Sequence, residues 1–94
     1  MHVQVPVLLL WKDGLQDRQE RVYTLTISWF GCAIHSPKFF RLGSRVQLRH
    51  EKNGQSIQAR VVYCLEDYGE QVVEVGLEFD QDGRSFWEIP FGKE

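Results

Sequence analysis

The chain has 94 residues, enough for a single small hydrophobic core and too few for two domains. It is 43% hydrophobic, as ordinary globular proteins are, and its longest apolar run (residues 7–11) is far shorter than the ~20 residues of a membrane span. Its formal net charge of −2 argues against a general DNA- or RNA-binding protein, because non-specific affinity for phosphates requires a surplus of lysine and arginine.

Short alternating segments separated by turn signals recur along the chain, which is typical of an all-β sandwich or barrel. Lys12-Asp13-Gly14 predicts the first turn, and Asp67-Tyr68-Gly69 predicts the last one. Asn53-Gly54 is the strongest short signal for a β-hairpin. Six antiparallel strands of this length can protect both sheet edges by closing into a barrel. The six strands are expected over residues 2–11, 21–28, 32–36, 45–50, 56–65 and 73–79.

Alternation also predicts which side chains face the core. In the second strand it places Tyr23, Leu25 and Ile27 on one face and the residues between them on the other. After the last strand, the aromatic-rich stretch "RSFWEIPF" predicts one helical turn or a tail across the mouth of the barrel. The fifth strand is predicted to carry on one face Ile57, Ala59, Val61, Tyr63 and Leu65. The inward face of the sixth strand is predicted to consist of Val73, Val75, Leu77 and Phe79.

The second strand ends abruptly in "TISWFG", where a small hydroxyl residue is followed by two aromatic residues and a glycine. Gly31 predicts either a positive φ or a close backbone approach, since only glycine tolerates both. Thr26 and Ser28 are expected on the same side of the strand, about 6.6 Å apart. The stretch is therefore either a tight turn over the core with solvent-facing strand residues, or a small hydrogen-bonding corner for a ligand.

Catalytic and metal-binding patterns are weak in this sequence. A nucleophilic serine usually lies in a G-x-S-x-G turn, whereas Ser28 is flanked by Ile27 and Trp29. The histidines and cysteines do not fall in metal-ligand spacings, and Cys32 and Cys64 are expected to be buried structural thiols. The aromatic residues, considered as stacking platforms for single-stranded nucleic acid, are needed for the core instead. The sequence thus predicts a non-enzymatic protein with no cofactor and no metal.

"TISWFG" resembles the [D/N]-x-S-x-x-G motif of the PilZ domain, a family of six-stranded barrels associated with binding cyclic di-GMP. The hairpin "LGSRVQLRHEKNGQSIQARVVYC" and the late strand "VEVGLEF" follow in the order and spacing of that family, so the resemblance covers most of the chain. It implies a single PilZ-like domain over residues 1–94, an antiparallel β-barrel with a short C-terminal helical turn or tail. It also implies that Thr26, Ser28 and Gly31 bind the base of cyclic di-GMP.

Two features depart from the family's pattern. Thr26 stands where the family has Asp or Asn, and a hydroxyl cannot accept two N–H groups as a carboxylate does. The family's R-x-x-x-R motif precedes the first strand, and here only Met1 does so; Arg18 and Arg21 come later and are interpreted as solvated turn charges. Without both arginines, binding would lose roughly 3–6 kcal/mol.

Two functions remain open. The first is a PilZ-like signalling module with weak or incomplete cyclic di-GMP binding, completed by a basic segment upstream or on a partner. The second is an adaptor, a protein-interaction barrel without a nucleotide, which uses the aromatic pairs Phe39-Phe40 and Phe86-Trp87 as a partner surface. A protein partner or a neighbouring domain is expected in either case. The N-terminus lacks a signal-peptide pattern, which predicts a cytoplasmic protein, and the sequence is also compatible with a domain excised from a longer chain.

Overall fold

The structure is a computed structural model that describes residues 2–67 and 72–87. Every adjacent pair of strands is antiparallel, and the sheet closes into a barrel in the order β1-β2-β3-β6-β5-β4. The prediction of an all-β, six-stranded antiparallel barrel with a C-terminal helical turn is therefore confirmed. The described elements are β1 (Pro6–Asp13), β2 (Gln16–Ser28), β3 (Gly31–Ser36), β4 (Arg45–His50), β5 (Ser56–Asp67), β6 (Val72–Phe79) and the one-turn helix α1 (Arg84–Trp87).

The first hairpin differs from its prediction. Its strands pair as far as Asp13 opposite Gln16, so Gly14 and Leu15 alone form the turn, with Gly14 at φ 66°. The strand β2 thus begins five residues before the expected position, and β1 begins at Pro6 rather than at residue 2. Residues 16–21 are all exposed, because this end of the hairpin extends beyond the barrel core. A strand segment that is exposed to solvent on both faces lacks the alternation of apolar and polar residues from which strands are predicted.

Two register shifts overturn part of the predicted alternation. The register of β2 shifts between Thr24 and Thr26, so that Thr24 and Ile27 both point inward while Tyr23 is exposed. The register of β5 shifts between Val61 and Tyr63, which turns Tyr63 and Leu65 outward. The predicted shared face is therefore wrong for Tyr23 and Ile27 in β2. It is also wrong for Tyr63 and Leu65, which do not share the buried face of Val61 in β5, because a bulge inserts one unpaired residue and reverses the alternation across it.

The segment before β1 is tied to the barrel by Thr24, whose side chain is fully buried. The Thr24 hydroxyl accepts a hydrogen bond from the Val5 N–H at 2.8 Å and donates one to the Val3 carbonyl. The Thr24 N–H in turn donates to the Val5 carbonyl at 3.1 Å. The hydroxyl group and the backbone N–H of buried Thr24 are thereby both hydrogen-bonded. The same bonds hold the segment before Pro6 alongside β2.

The aromatic residues after β6 close one mouth of the barrel. Phe86 and Trp87 in α1 are buried, with their ring centroids 4.9 Å apart, and Trp87 packs 5.8 Å from Phe79. Phe40 is buried as well, whereas Phe39 is 55% exposed. The predicted adaptor surface is therefore wrong for three of its four aromatic residues, which the small core requires. The predicted turn residues 68–69 and tail residues 88–91 lie outside the described residues.

Candidate functional site

The corner between β2 and β3 is a two-residue turn, with Ser28 paired to Gly31 across it. The backbone carbonyls of residues 28–30 all accept hydrogen bonds from the end of β6 and from the segment around α1. Trp87 Nε1–H donates to the Ser28 carbonyl at 2.9 Å, the Gly83 N–H to the Trp29 carbonyl at 2.5 Å, and the Phe79 N–H to the Phe30 carbonyl at 2.8 Å. The helix that closes the barrel therefore also fixes the shape of this corner.

Gly31 is required by a close backbone approach. A Cβ at this position would lie 2.2 Å from the Leu77 carbonyl oxygen on the neighbouring β6. Its φ lies outside the left-handed region adopted by Gly14, Gly43 and Gly54. Of the two reasons that the sequence suggests for a glycine here, the close approach is correct and the positive φ is wrong.

An open groove runs from this corner across the outer surface of four strands. Two rows of paired residues cross it, one from Ser28 through Gly31 to Glu78 and the other from Thr26 through Ala33 to Gly76. The groove has a volume of about 410 Å³, and its central residues, Gly31 and Ala33, carry at most a methyl group. The side chains and glycines that form its floor and walls include Thr26, Ser28, Gly31, Ala33, Tyr63, Gly76 and Glu78. This set is called the motif groove below.

Thr26, Ser28 and Gly31 are brought together in the motif groove, as alternation predicts for the two hydroxyls. Ile27 between them is buried, so Thr26 and Ser28 both point outward. The Ser28 hydroxyl donates to the Gly31 carbonyl at a long 3.3 Å, which leaves its lone pairs open to a ligand. The corner can thus offer hydroxyl groups and a flat floor to a planar ring.

Tyr63 and Gly76 form the far wall of the motif groove, and sequence reasoning missed both. The Tyr63 ring lies over Gly76, where an added Cβ would come within 2.0 Å of Tyr63 Cε2. The Tyr63 hydroxyl donates to Glu74 Oε2 at 2.8 Å. Partial burial, together with this hydrogen bond, raises the pKa of Tyr63 to about 12. The available signal was the glycine in the middle of "VEVGLEF", because a glycine within a strand often marks a close approach.

The charges at the motif groove are unfavourable for an anion. Of the described residues that line it, Glu78 alone is charged, and its Oε1 accepts hydrogen bonds from Arg60 at 2.6 and 3.1 Å. Arg18 and Arg21 do not line it. They belong to β2 rather than to a turn, and they pair with Asp13 and Glu51. The motif groove therefore offers contacts to a base but no unpaired cation to a phosphate.

The two cysteines differ in their burial. Cys32 is buried, and burial raises the pKa of its thiol, while Cys64 is half-buried against the core. Among the residues that the structure describes, no three His, Cys, Asp or Glu side chains are arranged to bind a metal ion. No helix in residues 2–67 and 72–87 is long and apolar enough to cross a membrane.

The described residues form a closed six-stranded antiparallel barrel with a two-residue turn fixed by α1 and an open groove beside it. The family profile of the PilZ domain matches residues 2–85, and the chain belongs to the PilZ domain family. This family consists of cyclic di-GMP-binding modules, which are generally non-catalytic. No curated protein and no solved structure gives a significant match to the chain.

Proposed function

We propose that this barrel is a cyclic di-GMP-linked signalling module in which the motif groove holds a guanine base. The observation that supports this function is the convergence of Thr26, Ser28 and Gly31 on one open groove whose floor is formed by small residues. Because the Tyr63 ring already covers Gly76, the base would lie on the small side chain of Ala33 between Thr26 and that ring. The two outward hydroxyls can then exchange hydrogen bonds with the edge of the base.

The phosphates require a second element, because the charged side chain in the motif groove is an acid, Glu78. Under this proposal a basic segment supplies the phosphate contacts, either upstream of the first strand or on a partner. The path of the chain supports the upstream source. Residues before Pro6 follow β2 in an antiparallel sense, with Val5 at Thr24, so a preceding segment is directed towards Thr26 and Ser28.

The first test compares this chain with a version that carries an R-x-x-x-R segment ahead of His2. Cyclic di-GMP binding is measured by titration calorimetry and by thermal melting. We expect the added arginines to raise the affinity about a hundred-fold to ten-thousand-fold, since each hydrogen bond to a charged partner contributes roughly 1.5–3 kcal/mol. Ligand at a hundred times its Kd should then raise the Tm by roughly 10–20 °C. An extended chain that stays inert at millimolar nucleotide refutes the proposal.

A gain-of-function variant tests the motif groove itself. In the extended chain, Thr26→Asp should tighten binding, because a carboxylate can accept two N–H groups of the guanine edge at once. Ser56→Asp is the matched control: it adds the same charge at an exposed position at the start of β5, outside the motif groove. Ser28→Ala should weaken binding by about three- to tenfold, the value of one neutral hydrogen bond. If Thr26→Asp and Ser56→Asp change the affinity equally, the motif groove does not bind the base.

A further inference from the structure

A second and larger groove lies on the other side of the barrel from the motif groove. In the closed strand order, β1 and β4 stand opposite β6 and β3, which carry the floor of the motif groove. The second groove has a volume of about 650 Å³. It is called the basic groove here, and the residues on which the inference depends are Leu10, Lys12, Arg45, Gln47, Arg49 and Gln58.

The strand register explains how these side chains meet. Leu10 is paired with Gln19 of β2 on one side and with Gln47 of β4 on the other, and Gln47 is paired with Gln58 of β5. Val7 and Leu9 are completely buried, so the alternate residue Leu10 points outward and is half-buried. A row of amide groups thus crosses the outer face of the barrel with one leucine among them. Gln58 Nε2 donates to Gln47 Oε1 at 3.1 Å, which holds the row in place.

The charge of the basic groove is opposite to that of the whole chain. Its described lining contains four of the chain's 11 basic residues and one of its 13 acidic residues, although the chain carries a net charge of −2. Three of the four cations have a nearby acid: Lys12 pairs with Asp17 at 3.5 Å, Arg18 with Asp13 at 3.6 Å, and Arg45 with Asp80. These side chains are largely exposed, and exposed pairs contribute about 0–1 kcal/mol. An incoming carboxylate can therefore exchange with them at little cost.

Arg49 is the fourth cation of the basic groove. Among the described residues its guanidinium forms no ion pair, and its side chain makes a weak 3.5 Å contact with the Ser56 hydroxyl. Arg49 is exposed, and it is paired across the sheet with Leu8 of β1, which is half-buried. An exposed arginine beside apolar surface, held only by this long contact to Ser56, is a favourable position for a carboxylate of a partner.

We propose that the basic groove is the docking site for an extended acidic segment of a partner protein, independently of any nucleotide in the motif groove. Arg45, Gln47 and Arg49 follow one another at alternate positions of β4, about 6.6 Å apart. Alternate side chains of an extended peptide repeat at the same interval. A segment with carboxylates at positions i and i+4 and an apolar side chain at i+2 matches this row, with the apolar side chain against Leu10.

The same observations disfavour other occupants. A single-stranded nucleic acid would need an open aromatic platform, but the aromatic ring in this groove, Trp11, packs edge-on against Phe40 with 5.5 Å between the ring centroids. A single small anion would not use the row, because Arg45 and Arg49 lie about 13 Å apart along the strand.

The test uses a fluorescein-labelled peptide, Gly-Glu-Ser-Leu-Ser-Glu-Gly amide, and the same peptide with both glutamates replaced by glutamine. Binding to the whole chain is followed by fluorescence anisotropy, and backbone amide shifts by NMR locate the contact. We expect saturable binding of the acidic peptide, with shifts concentrated on the outer residues of β1 and β4. Arg49→Glu should raise the Kd at least about tenfold, because it removes a charged donor and adds a repulsive charge. The matched control Arg41→Glu makes the same charge change outside the groove and should raise it less than about threefold.

Several outcomes overturn the proposal. The absence of saturable binding up to millimolar peptide, or an equal loss in the two variants, removes the basic groove as a peptide site. Tighter binding of a ten-residue thymidine oligonucleotide than of the acidic peptide assigns the groove to nucleic acid instead. Concentration-dependent shifts at β1 and β4 without any peptide, abolished by Arg49→Glu, replace the external partner with a second copy of this chain.

Discussion

The contact between Tyr63 and Gly76 can be tested by a double-mutant cycle. The Gly76→Ala variant should be destabilised by about 1–3 kcal/mol, the usual cost of overpacking, because the new methyl would lie 2.0 Å from the Tyr63 ring. In a Tyr63→Ala background the ring is absent, and alanine is favoured over glycine within a strand by about 0.5–1 kcal/mol. The two substitutions should therefore show an interaction energy of about 1.5–4 kcal/mol, with the double variant more stable than the Tyr63→Ala variant.

The assay is urea unfolding of the four proteins in the cycle, followed by tryptophan fluorescence, with unchanged m-values as the condition for comparison. Gly31→Ala is the matched control, since the atom it would meet at 2.2 Å is the Leu77 backbone oxygen, which Tyr63→Ala does not remove. We expect no rescue for this glycine. An interaction energy below about 0.5 kcal/mol between positions 63 and 76 would refute the reasoning that the ring dictates the glycine.

Three further predictions concern Trp87, the two cysteines and the titration of Tyr63. Trp87→Phe should cost about 0.5–1.5 kcal/mol for the lost hydrogen bond to the Ser28 carbonyl, and Trp87→Ala about 3–5 kcal/mol; a Trp87→Phe variant as stable as the unchanged protein in urea unfolding would contradict the assigned hydrogen bond. Cys64, which is half-buried, should react quickly with a thiol reagent in the native protein, whereas buried Cys32 should react only after unfolding. Rapid modification of both cysteines would disprove the burial of Cys32. Because the folded protein raises the pKa of Tyr63 from 10.0 to about 12, its contribution to stability is complete below pH 10 and is lost as the pH rises through 12. Tyr63→Phe should therefore flatten the alkaline fall in the urea midpoint, and an unchanged slope would count against it.

Local sequence signals account for most of the barrel. Asn53-Gly54 predicts the hairpin between β4 and β5, and Gly54 adopts φ 73° as such a turn requires. Val46 and Leu48 alternate with polar residues in β4, and both point into the core. These predictions succeed because turn geometry and side-chain alternation are properties of a few neighbouring residues.

The candidate site was predicted only in part. Thr26, Ser28 and Gly31 were found from one short motif, and the structure places all three in one groove. Alternation instead places Tyr63 on the same face as Val61, because the bulge that turns Tyr63 outward depends on how β5 pairs with β6. A bulge leaves no periodic trace in its own strand, so alternation alone extends the wrong face beyond it.

The sequence by itself determined that this protein is a small all-β domain with a glycine turn after its second strand, because alternation, turn residues and composition act locally. Only the tertiary structure decided which distant residues these positions contact, and hence why a particular residue is required at each of them. Gly31 is a glycine because of Leu77, forty-six positions away, and the Ser28 carbonyl is held by Trp87. The basic groove likewise exists only after closure, when β4 pairs with β1 and brings Arg45 and Arg49 beside Leu10. Such contacts depend on pairings between distant strands, and only the closed barrel fixes them.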